Sequence, residues 1–154
     1  MPEPIARLHF EDLAVGQRFT SGSYRVDEDA IRTFASQYDP QPFHTDAEAA
    51  KGTFFDGLAA SGWHTAAITM RLLVDGGLPF GEGLVGAGAE IAWPSATRPG
   101  DTLTVISEVV DLRISASKPE RGWVTVQSET RTATGNVVQT LRARMLVLRR
   151  DRPA

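Results

Sequence analysis

The chain has 154 residues, of which 42% are hydrophobic and 23% charged, the composition of an ordinary globular protein that can bury its own core. A net charge of −3 argues against nucleic-acid binding, and the lack of cysteine excludes disulfides and thiolate chemistry. No apolar run resembles a signal peptide or approaches the roughly 18 residues of a membrane span, so we expect a cytoplasmic protein that does not bind membranes.

The first third of the chain predicts one strand and two helical segments. Residues 19–26 have weak strand character. Residues 27–36 have helical periodicity, and the first of them, Asp27, suits the N-cap. Pro40 and Pro42 forbid continuation of that helix and favour extended backbone. Residues 46–51, DAEAAK, predict one further turn that is capped by its first residue.

The clearest helix in the sequence begins at Ser61-Gly62 and ends at Gly76-Gly77. We expect its apolar face to pack on a sheet, which the small alanines would let approach closely. The side chains of that face are Trp63, Ala66, Ala67, Met70, Leu73 and Val74.

The sequence after Leu84 is rich in Val, Ile, Leu and Thr and predicts β-structure. The predicted strands are residues 102–110, 112–117, 122–132 and 137–148. Thr134-Gly135-Asn136 is a hairpin signal, and the alternation of Val124, Val126 and Ser128 with polar residues indicates half-buried antiparallel strands. The pattern predicts an α+β domain in which the strands bury the central helix.

The segment YDPQPFHTD, residues 38–46, places the acid Asp39 five positions before the imidazole of His44, with two prolines between them. Prolines restrict a loop and would help to hold the two side chains in a fixed relation. A carboxylate and an imidazole that share one water molecule can act as an acid–base pair. Taken alone, however, such a stretch is more often a turn with Asp39 as a cap, and a single histidine is more often structural.

Three segments of the sequence together resemble the MaoC-like dehydratases, the (R)-specific enoyl-CoA hydratase group of the hotdog fold. They are YDPQPFHTDAEAA (38–50), GLAASGWHTAAITMRLL (57–73) and RPGDTLTV (98–105). The resemblance implies a single hotdog domain over residues 1–154, in which a long antiparallel sheet wraps around the central helix. It also implies a homodimer or a dimer of dimers, with the acyl site near the pairing surface.

The activity implied by this resemblance is reversible hydration of a trans-2-enoyl-CoA to a 3-hydroxyacyl thioester, with CoA as part of the substrate and no metal or redox cofactor. Asp39 and His44 would be the catalytic pair, with Asp39 as the base towards water. The backbone N–H of Gly62 would be the oxyanion donor, at a helix start that favours an anion. Ser61 would cap that helix or contact substrate. Gln41 would be a further substrate-binding residue; it stands where the motif usually has Asn, which moves the amide by one methylene.

Two other functions stay open at this point. A hotdog thioesterase would hydrolyse the thioester, and a non-catalytic subunit would only bind it, a possibility that Gln41 leaves open. Residues 81–86 match GxGxxG but follow a helix and precede strands, so they are interpreted as a loop. His64 is expected to face the core or solvent, no histidine has ligand spacing to His44, and Arg98 is interpreted as a surface turn charge rather than a CoA-phosphate contact.

Overall fold

The computed structural model describes residues 6–150, which form one five-stranded antiparallel sheet and a set of helices. The strands are β1 (Arg18–Arg25), β2 (Val85–Ala92), β3 (Thr102–Ile114), β4 (Arg121–Thr132) and β5 (Val137–Leu148). The helices are α1 (Glu28–Tyr38), α2 (Pro42–Thr45), α3 (Ala47–Ala50) and α4 (Gly62–Leu72), with a 3₁₀ turn at Phe10–Asp12 and a wide π turn at Leu73–Gly77 after α4. In the described part of the chain, no helix is both long and apolar enough to cross a membrane.

The sheet has the strand order β1-β3-β4-β5-β2, and every neighbouring pair is antiparallel. The prediction of separate strands at 102–110 and 112–117 is wrong, because residues 102–114 form the single strand β3 and residues 115–117 lie beyond its end. Its register against β4 shifts between Val109 and Asp111, which marks a bulge. A bulge bends a strand without ending it, so the periodicity breaks while the ladder continues.

The β4–β5 hairpin and its inward face agree with the prediction. The N–H of Thr132 donates to the carbonyl of Asn136 at 2.9 Å, and Gly135 takes a left-handed φ of 89° at the turn. Val124 and Val126 are fully buried against the helical layer, while the residues between them are half-exposed. The alternation therefore places one face of the sheet against the core.

Strand β2 was not predicted from the sequence. Its residues, VGAGAEIA, include two glycines and three alanines, which are depleted in strands. It pairs with β5 from Val85, opposite Leu146, to Ala92, opposite Thr140, and it ends the sheet on that side. Its side chains are mostly exposed, so backbone pairing rather than burial of side chains determines this strand.

Helix α4 lies in the core with a different face from the predicted one. Its buried residues are His64, Thr65, Ile68, Thr69 and Leu72. Trp63, Met70 and Val74 were expected to face the core but are 60%, 46% and 48% exposed. Ala67 is exposed and Ala66 half-buried, so these alanines do not bring the helix to the sheet. The prediction of an inward apolar face is wrong, apart from the buried Leu73.

The polar face of α4 can be buried because its hydroxyls find partners on the sheet and in the loop before β3. The Thr65 hydroxyl lies 2.9 Å from that of Thr97, and the Thr69 hydroxyl lies 2.7 Å from that of Thr130. Hydrogen bonds of this kind offset the cost of taking a hydroxyl out of water. The apolar face of α4 is consequently left on the surface of the single chain.

The helices before α4 form around the two prolines. Helix α1 runs to Tyr38, two residues past the predicted end, and stops before Pro40. The extended backbone predicted here is found at Gln41, but Pro42 opens the new turn α2, a position that tolerates its missing N–H. Asp46 caps α3 as predicted, because its carboxylate accepts from the N–H groups of the next turn at 3.0 and 3.2 Å.

Candidate active site

Asp39 and His44 lie together where α1 ends and α2 begins. The N–H of Asp39 donates to Ala35 as the last bond of α1, and the N–H of Gln41 folds back to the Asp39 carbonyl at 2.8 Å. This compact turn brings His44 Nε2 to 3.4 Å from Asp39 Oδ2. The His44 side chain is only 5% exposed and that of Asp39 19% exposed, so little water screens the pair.

His44 is held in one orientation by the backbone and by aromatic rings. Its Nδ1 lies 2.6 Å from the carbonyl oxygen of Ala59, which can only accept, so Nδ1 carries the hydrogen. The rings of Phe43 and Phe55 pack on the imidazole with centroids at 4.6 and 5.6 Å. Nε2 is thereby the atom that faces Asp39 and is free to exchange a proton.

The Asp39 carboxylate is kept ionised by its surroundings. Burial acts to raise the pKa of Asp39, but the hydrogen bond from Gln41 and the charge of His44 outweigh it and hold the pKa below its ordinary 3.8. The Gln41 amide donates to Asp39 Oδ1 at 2.5 Å. The Ser61 hydroxyl is buried beside the carboxylate without reaching hydrogen-bond distance and angle to any described group. Asp39 can therefore accept a proton at neutral pH.

A cavity of about 430 Å³ opens beside this pair and reaches the start of α4. His44 and Gly62 line it, whereas Asp39, Ser61 and Gln41 are not among its lining residues. Gly62 occupies the first turn of α4, and its N–H donates to no acceptor within residues 6–150. A helix start with a free N–H favours negative charge. The cavity thus brings the His44 imidazole and the free N–H of Gly62 to one space, with Asp39 directly behind His44.

The lack of a side chain at Gly62 has a packing reason in this structure. A Cβ at this position would lie 2.6 Å from the indole of Trp93, which covers the start of α4. The Trp93 Nε1–H donates to Oε1 of the buried Gln139 at 3.0 Å, and Gln139 Nε2 donates to Thr69 at 3.1 Å. Only glycine lets the ring and the helix meet this closely.

Residues 12–132 match the family described as the MaoC like domain. The chain belongs to this family. The structure of a MaoC-like dehydratase from Rhodospirillum rubrum superposes with a TM-score of 0.92 at 56% identity, covering 94% of this chain and 99% of that one. The recognition of the family and the predicted hotdog fold are confirmed.

Two further relatives set the range of the similarity. An (R)-hydratase from A. caviae involved in PHA biosynthesis has a TM-score of 0.72 and 28% identity, covering 90% of this chain and 98% of that one. The uncharacterized protein YdeM of Bacillus subtilis (strain 168) is 34% identical over 122 residues, which are 77% of this chain and 84% of that protein. Membership of the MaoC-like family indicates a hydratase or dehydratase and leaves the substrate open.

Several residues around the site of this MaoC-like domain were missed by sequence reasoning. Trp93 and Thr97 line the cavity from the connection between β2 and β3, and Val138 lines it from β5. Gln139 is fully buried and orients Trp93. One signal was available in the sequence: Gln139 follows two valines at the start of a predicted strand, and a Gln that is buried there needs a hydrogen-bond partner. The partner itself lies 46 positions away, which no local pattern reveals.

His64, which was expected to face core or solvent, belongs to the core of the MaoC-like domain. It is buried, stacks on Phe34 with ring centroids 4.7 Å apart, and its Nδ1 has no hydrogen-bond partner among the described residues. Burial lowers the pKa of His64 below its ordinary 6.5. His64 does not line the cavity. No cluster of three or more potential metal ligands occurs within residues 6–150.

His64 predicts a pH dependence of stability. Because its pKa is lower in the folded chain, the unfolded chain binds the proton more readily, and the stability contributed above pH 6.5 is lost as the pH falls through 6.5. We expect the Tm of the wild type to drop more between about pH 7.5 and about pH 5.5 than that of His64→Phe, which keeps the stacking on Phe34. Equal drops in thermal melts of the two proteins would contradict this assignment.

Proposed function

We propose that the chain is a hydro-lyase that reversibly hydrates a trans-2-enoyl-CoA to the 3-hydroxyacyl thioester. The observation that carries the proposal is the 3.4 Å approach of His44 Nε2 to Asp39 Oδ2, with His44 lining a cavity that Gly62 also lines. Membership of the MaoC-like family supports the reaction class. The similarity to the (R)-hydratase from A. caviae, at 28% identity, supports hydration as the reaction.

In this proposal one water molecule is bound by Asp39 and His44. His44 enters the step with a proton on both ring nitrogens. Asp39 takes a proton from the water as its oxygen forms a bond to C3, and His44 gives the proton on Nε2 to C2. The proton on Asp39 then returns to His44 across the short gap between them, so the net addition is one H and one OH. The Ala59 carbonyl keeps the proton on Nδ1 throughout, which leaves Nε2 as the only ring nitrogen that transfers one.

Gly62 has the role of stabilising the thioester oxygen, which gains negative charge as C3 is attacked. Its free N–H and the positive end of α4 would favour that charge. The aromatic and small side chains of the cavity would surround the acyl chain and exclude water. The rings of Phe54, Phe55 and Trp93 are part of this apolar wall.

The reaction can be tested in both directions with purified protein. A panel of trans-2-enoyl-CoA substrates of increasing chain length should lose the absorbance of the conjugated enoyl thioester, and 3-hydroxyacyl-CoA should regain it. A common end ratio from both sides identifies a hydro-lyase. Failure of every chain length in both directions would contradict the proposal.

We also propose that the chain pairs as a homodimer through the surface left by α4 and β2. Trp63 and Met70 of α4 and Val74 of the π turn after it lie on one exposed apolar face, and β2 presents an unpaired backbone edge. Exposed apolar side chains grouped on one face are typical of interaction sites. Pairing would cover both features and bring two copies of the site close to one interface.

The dimer predicts a specific response to mutation. Sedimentation should give about twice the 16.7 kDa chain mass, or a multiple of it for a dimer of dimers. Met70→Glu should weaken the assembly because it places a charge in the apolar face. Val15→Glu is the matched control, since Val15 is exposed outside this surface. A monomer mass at every concentration would contradict the assignment.

A further inference from the structure

Arg98 lies in the connection between β2 and β3, and its guanidinium reaches the irregular segment before α4. Nη1 donates to the carbonyl oxygens of Gly57 at 3.0 Å and Leu58 at 3.2 Å, and Nη2 donates to that of Phe55 at 2.5 Å. One side chain therefore binds three carbonyls of a segment about 40 positions away in sequence. The prediction that Arg98 is only a surface turn charge is wrong, because it is half-buried and bonded on three sides.

The segment that Arg98 binds has an unusual backbone. Asp56 has a φ of 48°, in the left-handed region that side-chain-bearing residues seldom adopt, and Gly57 follows with a φ of 138°. These two dihedrals turn the carbonyls of residues 55, 57 and 58 towards one donor. The three hydrogen bonds to Arg98 offset the strain of holding the backbone in this form.

The same segment leads directly to His44. Leu58 accepts from Arg98, the carbonyl of the next residue, Ala59, accepts from His44 Nδ1 at 2.6 Å, and the N–H of Ala60 donates to Thr97 at 2.9 Å. Three consecutive residues thus bind Arg98, His44 and the neighbour of Arg98. The carbonyl that fixes the proton on His44 Nδ1 is held between two anchors from the β2–β3 connection.

The guanidinium has no carboxylate within ion-pair distance among the described residues. The nearby Asp101 carboxylate accepts instead from the backbone N–H of Arg98 at 2.8 Å. The charge of Arg98 is balanced by carbonyl dipoles, and the planar fork is what meets them together. A lysine would keep the charge but lose this geometry.

We propose that Arg98 is a positioning residue for the acid–base pair, acting through the Ala59 carbonyl on the orientation and tautomer of His44. Only the expected effect of Arg98 on the hydration rate rests on the proposed function. Its structural consequence, the protonation of His44 Nδ1, can be measured in a protein with no activity at all.

The first measurement is nitrogen NMR of histidine-labelled protein, with the His44 signals assigned by their loss in His44→Gln. The wild type should show a protonated Nδ1 whose hydrogen exchanges slowly with water. In Arg98→Met that hydrogen should exchange at least about 10-fold faster, because the Ala59 acceptor loses its anchor. An unchanged exchange rate in a folded Arg98→Met would overturn the proposal.

The second measurement is steady-state hydration by the same variants. Arg98→Met should lower kcat by about 10–100-fold and leave KM nearly unchanged, and Arg98→Lys should not restore it. Arg113→Met is the matched control, since Arg113 is exposed on β3 away from the cavity. A raised KM with normal kcat would overturn the proposal and identify Arg98 as a substrate contact. If Arg98→Met does not fold, hydrogen exchange at His44 Nδ1 and steady-state hydration are both measured on Arg98→Lys instead.

If the wild type hydrates nothing, the proposed function fails while the exchange experiment still decides the role of Arg98. If hydration is found and the His44 Nδ1 hydrogen exchanges at the same rate in the wild type and in Arg98→Met, the positioning role fails and the proposed function stands.

Discussion

Asp39→Asn should lower kcat/KM for hydration of a short trans-2-enoyl-CoA by about 10²–10⁴-fold, and His44→Gln should do the same. Asn keeps the size of the side chain and can still accept from Gln41, but it cannot take a proton from water. Gln at position 44 can still hydrogen-bond but offers no group that exchanges a proton near neutral pH. The rates are measured by loss of the enoyl-thioester absorbance.

The double variant gives the sharper result. Asp39 and His44 lie 3.4 Å apart and are proposed to act on one water molecule, so their losses should not add. The double variant should be little slower than the slower single variant. Thermal melts check that each protein folds. A folded single variant with near-wild-type hydration would show that its residue is structural.

Replacing Gly62 by Pro should remove the oxyanion donor without breaking α4. Proline is tolerated in the first helical turn, and Ser61 has a ψ of 140°, which suits a residue before proline. The proline ring would strike Trp93, so the test is made in a Trp93→Ala background. We expect kcat of Gly62→Pro/Trp93→Ala to be about 10²–10³-fold below that of Gly62→Ala/Trp93→Ala.

This comparison isolates one hydrogen-bond donor. Both double variants carry a Cβ at position 62 and lack the indole at 93, and the backbone N–H is the main difference between them. Gly62→Val would not test the donor, because valine keeps the backbone N–H and adds a clash with Trp93, 2.6 Å from the new Cβ. Equal kcat values for two folded proteins would show that Gly62 donates nothing to the transition state.

The parts of the site that could be predicted are those encoded locally. Asp39 and His44 are joined by a five-residue step with two prolines, and that short path by itself brings their side chains together. The cap at Asp46 and the β4–β5 hairpin depend on neighbouring residues in the same way. Helix and strand propensity and turn chemistry act between residues that are close in sequence, so these features can be predicted from the sequence.

The parts that could not be predicted depend on contacts between distant segments. Thr65 and Thr69 read as polar surface but are buried, because hydroxyls on Thr97 and Thr130 meet them. The fold of β2 follows from pairing with β5, and no periodicity within its glycine-rich sequence indicates it. Arg98 reads as a turn charge until the carbonyls of residues 55, 57 and 58 are seen around it.

The outward apolar face of α4 shows how a correct pattern can lead to a wrong placement. Trp63, Met70 and Val74 do form one face, as the spacing predicts, but a pattern cannot tell a core from an interface. Burial of that face against a second copy would satisfy the same spacing. The single chain buries the threonine face, and the proposed dimer would bury the apolar one.

The most direct test of the central claim is one assay that records two signals from the same sample. Wild-type protein is mixed with a short trans-2-enoyl-CoA, and the enoyl absorbance and free thiol are recorded together, with Asp39→Asn as the matched control. The absorbance should fall without release of CoA, and the Asp39→Asn protein should be nearly inactive. Release of free CoA in step with the absorbance loss would identify a thioesterase, and ligand-induced stabilisation without turnover would identify a binding subunit. Either result would contradict the assignment of Asp39 and His44 as a hydrating pair.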